Sequence, residues 1–178
     1  MVLLGAAKRC VDTGASVGTA GSEDIAATPA GVPATDSNGV VVHYGIMQFD
    51  YVPSALHAEI MALLFGLDEA REAGCDRLIA ESDCAIAVRE VNDSCGSLHE
   101  WGALISDIQV LVSEFHSCVV RSIRRTPNLF AHELAKLDCV VGEKIVWRHS
   151  LPIGFCNPDL VSKINLQLKN GSSFFARM

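Results

Sequence analysis

Three carboxylates occupy positions that burial alone would not choose, and together they could hold a hard divalent cation. Glu59 borders an apolar stripe, one turn from Leu56 and Leu63, whereas Asp68, Glu69 and Glu72 fall on the other side of the same run. Asp83 follows the short apolar run Arg77 to Glu81, at the carboxyl edge of a strand, where open α/β sheets bind ligands. Asp12 follows Cys10-Val11 in a segment that reads as the end or middle of a strand. Carboxylates drawn together repel and raise one another's pKa unless a cation holds them, and oxygen-only ligands suit Mg²⁺. Taken singly, each has a plainer role: a helix N-cap for Asp83, a solvated helix end for Glu59.

Charge supplies the second signal. The chain of 178 residues carries a formal charge of -7, which excludes a generally basic, nonspecific nucleic-acid binder. Yet Cys118 to Lys136 holds Arg121, Arg124, Arg125 and Lys136 against Glu133 alone, a local +3 that leaves -10 for the rest. Contact with a polyanion would therefore be local to this stretch, with a solvated strand end as the plain alternative for Arg124 and Arg125.

These residues need elements to position them. Val40 to Met47 reads as a strand, joined through Ser37-Asn38-Gly39 to a shorter one around Gly31 to Thr35. Ala55 to Ala73 has helical periodicity and stops before Gly74. Arg77 to Glu81 is a strand and Cys84 to Asn92 a helix; a third helix spans about His99 to Phe115. Cys118 to Ile123 is a strand and Asn128 to Val141 a last helix. This order predicts an α/β fold with a five-stranded mixed sheet, antiparallel strands leading into parallel ones, occupying residues 1–142. Residues 143–178 read as a tail partly docked on it.

The segments Ala58-Glu59, Glu81-Ser82-Asp83 and Arg125-Thr126-Pro127-Asn128-Leu129-Phe130-Ala131-His132-Glu133-Leu134-Ala135 together resemble the plant ribonuclease H-like domain, related to type 1 ribonucleases H and reverse-transcriptase-like sequences. The resemblance runs from about Lys8 to Val141 and is weakest before residue 30. It implies a ribonuclease H-like fold and hydrolysis of the RNA strand of an RNA/DNA hybrid. It further implies Asp12, Glu59 and Asp83 as ligands of Mg²⁺, or of Mn²⁺. The family's Asp-Gly-Ala-Ser would fall on Asp12 in Val11-Asp12-Thr13-Gly14-Ala15-Ser16, with Thr13 as an extra residue. His132 stands where active hydrolases carry a fourth acid. Arg124, Arg125 and Asn128 would position the nucleic-acid strand. With a fourth acid missing, the alternative is a catalytically impaired module that binds nucleic acid or a protein without cleaving.

Two weaker resemblances compete. Val11 to Ser16 is similar to the signature of retroviral-type aspartic proteases, but nothing downstream supplies a flap or second lobe. His57-Ala58-Glu59 is similar to the His-x-Glu of zinc deaminases, without the Pro-Cys-x-x-Cys partner. Seven cysteines, none in a Cys-x-x-Cys pair, read as reduced small hydrophobes. No apolar run approaches the ~20 residues of a membrane span. The expectation is a monomeric, intracellular chain, in nucleus or cytoplasm.

Overall fold

The computed structural model describes residues 2–8, 25–35, 41–93, 99–124, 131, 134, 135 and 142–148. Six strands form one sheet in the order β5-β4-β1-β2-β3-β6. They are β1 (Val2–Lys8), β2 (Ile25–Thr35), β3 (Val41–Val52), β4 (Arg77–Ser82), β5 (Ser117–Ser122) and β6 (Lys144–Arg148). Strands β1, β2 and β3 run antiparallel, β1, β4 and β5 run parallel, and β6 adds antiparallel to β3. Three helices are described: α1 (Ala55–Glu72), α2 (Ala85–Asn92) and α3 (Gly102–Glu114). None of the described helices is long and apolar enough to cross a membrane.

Helix α1 is delimited by chemistry the sequence displays. Ser54 caps it by accepting from the His57 amide at 3.2 Å. At the other end Gly74 adopts φ 74°, a conformation glycine takes without the Cβ clash other residues meet. The Gly74 and Cys75 amides then close back on the carbonyls of Arg71 and Ala70.

Strand alternation divides the core between two faces. On one, Ala30, Val32 and Ala34 of β2 and Leu78 and Ala80 of β4 pack under Ile60, Leu63 and Leu67 of α1 and Ile105 and Ile108 of α3. A Cβ built on Gly45 would lie 3.0 Å from the Phe65 ring, which places α1 against this face of β3. On the other face, a Cβ on Gly31 would lie 2.4 Å from the Ala131 carbonyl and 2.5 Å from the Ala135 amide. The buried helical residues Ala131 and Leu134 therefore cross β2 almost backbone to backbone, which the missing side chain of Gly31 permits.

Several sequence expectations change. The sheet has a sixth strand, β6, inside the segment read as a tail, because Lys144 to Arg148 pairs with His43 to Met47. Glu69, expected on the solvated side of α1, is 2% exposed. Its Oε2 accepts from or shares a proton with His43 Nε2 at 3.1 Å, and its Oε1 lies 2.6 Å from Lys144 Nζ. The added strand brings the cation that makes this burial tolerable. The first strand lies at Val2–Lys8, ahead of where Asp12 would place it, and β2 and β3 are longer than periodicity suggested. The hairpin turn 37–39 and residues 149–178 lie outside the described residues.

Candidate nucleic-acid interface

Glu59 is carried by the first turns of α1, and this part of the helix is tightly tied. Ser54 Oγ and His57 Nδ1 are hydrogen-bonded at 2.9 Å, and the buried His57 ring meets Trp101 edge-on with centroids 5.7 Å apart. His99 stacks on the same indole at 4.7 Å. His57 is thus a packed residue that anchors α1 to the start of α3. Among the described residues no group of three His, Cys, Asp or Glu could hold a metal ion. The mixed sheet and its helices differ from an all-β protease lobe.

Asp83 owes its position to Ser82, the last residue of β4. The fully buried Ser82 Oγ accepts from the Cys84 amide at 3.1 Å, and the Ser82 carbonyl accepts from the Ile123 amide at 3.0 Å. The strand is pinned to β5 as the chain turns into α2, and Asp83 is delivered half-buried at the carboxyl edge of the sheet. Both the Glu59 and the Asp83 carboxylate bear on the Cys84 thiol. Burial first, then the Glu59 and Asp83 charges, push that thiol above its ordinary pKa, outweighing the Ile86 and Ala87 amides that oppose them. Cys118, buried more simply, is pushed up to about 11. Cys75, Cys84 and Cys118 are all free thiols, as expected.

The third carboxylate is the crux. Beside the end of β4 runs β1, with Gly5 opposite Glu81 and Ala6 opposite Ser82. The strand reads Val-Leu-Leu-Gly-Ala-Ala-Lys, without an acid at any position. Asp12 lies outside the described residues, as do Arg125, Asn128 and His132. Of the three acids expected at the site, the described residues contain Glu59 and Asp83. Arg124 is exposed just past the end of β5.

Sequence reasoning missed a further pair in the same strands. Glu81 of β4 is 1% exposed, and Arg121, its register partner on β5, donates from Nε to Glu81 Oε1 at 2.7 Å. Burial raises the Glu81 pKa above the ordinary carboxylate value, and Arg121 only partly offsets this. The one available signal was an acid and a base in strands expected to be adjacent.

The comparisons agree with this architecture. A family model described as reverse transcriptase-like matches residues 17–138. Among solved structures, the chain is similar to the N-terminal RNase H domain of rv2228c from Mycobacterium tuberculosis, solved as a fusion with maltose-binding protein. That match has 19% identity and a TM-score of 0.61, covering 75% of this chain and 89% of that one. RNase H1 from the halophilic archaeon Halobacterium salinarum matches at 18% identity and a TM-score of 0.62, covering 75% and 93%. LC11-RNase H1 in complex with an RNA/DNA hybrid matches at 17% identity and a TM-score of 0.61, with the same coverage. No curated protein matches the chain. The fold is ribonuclease H-like.

Proposed function

Because the chain belongs to the reverse transcriptase-like family, we propose that it binds RNA/DNA hybrid at the carboxyl edge of β4 and β5 and hydrolyses the RNA strand at most slowly. The observation that carries this reading is the composition of β1, whose seven residues place no carboxylate beside the end of β4. Glu59 and Asp83 supply two negative groups there. Full metal-dependent hydrolysis by Mg²⁺ or Mn²⁺ needs a third, and Asp12 is the residue proposed for it. His132 at the position of the missing fourth acid adds no charge when neutral, which points the same way. The choice of hybrid as ligand is supported by LC11-RNase H1, a similar fold that was solved on one. Arg124, Arg125 and Asn128 are the residues proposed to position the strand through phosphate and sugar, contacts that fix register without reading sequence.

Binding and cleavage are measured together. A labelled RNA/DNA hybrid is titrated with the full chain, and the RNA strand is followed with Mg²⁺, with Mn²⁺ and with chelator. The expected outcome is saturable binding in all three, with cleavage far slower than by a type 1 RNase H run alongside. Multiple-turnover hydrolysis in Mg²⁺ would overturn the reading in favour of an active hydrolase that uses Asp12. Absence of binding would overturn it altogether.

A further inference from the structure

The sheet face opposite α1 is covered over β2 by Ala131 and Leu134 but lies open at the β5 edge. Val119 of β5 is 49% exposed there, although its β4 partner Ile79 is buried. Two residues further along, the same face carries Glu81 opposite Arg121. Both contacts of Arg121 fall on one oxygen: Nε and Nη2 lie 2.7 and 2.5 Å from Glu81 Oε1, while Glu81 Oε2 is buried with no hydrogen-bond partner. A guanidinium has five N–H donors, and a carboxylate can engage it through both oxygens at once. Here two donors are used, and no other hydrogen bond to Arg121 is made by the described residues. The side chain remains 29% exposed.

A buried acid and base at an open strand edge are not needed for stability, since an apolar pair of similar volume commonly does as well. What the pair does achieve is a guanidinium of fixed position with outward-facing donors. We propose that Arg121, held over Glu81, contacts a backbone phosphate of the nucleic-acid strand engaged at the end of β4. The inference rests on the nucleic-acid reading above and extends its interface from the exposed Arg124 back along β5. Two features of the chain favour this occupant. The stretch from Cys118 to Lys136 is net positive within a chain of -7. Asp83, moreover, follows Glu81 by two residues, at most about 7 Å along the chain, so a backbone lying at Asp83 passes within reach of Arg121.

The test is the salt dependence of binding, read by anisotropy of a fluorescein-labelled RNA/DNA hybrid between 50 and 200 mM salt with the full chain. Losing one phosphate contact lowers the logarithmic slope by roughly 0.9, so Arg121→Gln should lose about 3.5-fold less affinity than the wild type across that range. Its binding at the low-salt end should be weaker. Arg121→Lys keeps the charge and should keep the wild-type slope. Arg121→Gln alone leaves Glu81 as a buried, unpaired carboxylate, so Glu81→Gln/Arg121→Gln is measured beside it and should show the same reduced slope. Wild-type slopes in both glutamine variants, with the wild type binding normally, would overturn the phosphate contact and leave the nucleic-acid reading standing. A wild type that binds no hybrid at all would sink both.

Discussion

Substituting Gly31 by alanine asks whether the crossing of β2 by Ala131, Leu134 and Ala135 holds the second face of the fold together. The new Cβ would sit 2.4 Å from the Ala131 oxygen, 2.5 Å from the Ala135 nitrogen and 2.6 Å from Leu134 Cβ. Ordinary contacts between such atoms begin about 1 Å further out. Two of the three neighbours are backbone, so no rotamer change relieves the overlap, and these residues must lift from the sheet. Overpacking of this kind costs roughly 1–3 kcal/mol, occasionally more, while replacing glycine returns about 0.4–1 kcal/mol by restricting the unfolded chain. A net loss of about 1–2 kcal/mol should lower Tm by roughly 2–8 °C for a chain of this size. Gly45→Ala is the internal control, because its Cβ would meet the Phe65 ring at 3.0 Å, and a ring can turn aside. Thermal unfolding followed by circular dichroism should rank the two variants in that order. A Gly31→Ala protein that melts within a degree of the wild type would refute the close crossing.

Ser54→Ala removes the α1 cap and the bond to His57 and should cost about 1 kcal/mol in urea unfolding, with hydrogen exchange faster in the first turn of α1. The effect of Glu69→Gln should depend on pH. Burial pushes Glu69 up, but His43 and Lys144 together hold it below the ordinary carboxylate value. Its contribution to stability is therefore complete above the unfolded value of about 4.3 and is lost as pH falls through the lower folded value, so the glutamine variant should be destabilised at pH 7 and unfold with a shallower acid dependence than the wild type. Asp83→Asn keeps the shape of the turn after β4 and removes one of two acids near Cys84. Any metal-dependent cleavage should fall by orders of magnitude, and cleavage that persists would reduce Asp83 to a helix cap.

Much of the framework was legible because local chemistry and packing agreed. α1 has periodicity, an N-cap serine and a terminal glycine, and it begins and ends within a residue of the reading. β4 and β5 are short apolar runs with polar stops, and each lies within one residue of its expected span. Three features escaped for a common reason: their signals depend on strand neighbours far apart in sequence. β6 is recognisable only once β3 offers it an edge, since Lys144 to Arg148 has no turn or period to mark it. Glu69 looks solvated on a helical projection until Lys144 arrives from β6 and His43 from β3. Glu81 looks like any strand-end acid until Arg121 is set opposite it.

The candidate site divides along the same line. The places of Glu59 and Asp83 in the fold were readable because each is tied to its own element, one on α1 and the other just after β4. A carboxylate from the first strand is a different kind of claim. Its place depends on the register of β1 against β4, and register is set by the whole sheet rather than by a local motif. The pairing of Gly5 with Glu81 and Ala6 with Ser82 fixes which β1 residues flank the end of β4, and β1 continues past it through Ala7 to Lys8, none of them an acid. The pattern Asp12-Thr13-Gly14-Ala15-Ser16 has the right composition for the role, but it begins four residues after β1 ends. Glu59 and Asp83 sit on described elements, whereas β1 carries no acid and Asp12 lies outside the described residues. The proposal of slow cleavage rests on that first strand, and the proposal of hybrid binding on the basic residues Arg121 and Arg124 at and beyond the end of β5.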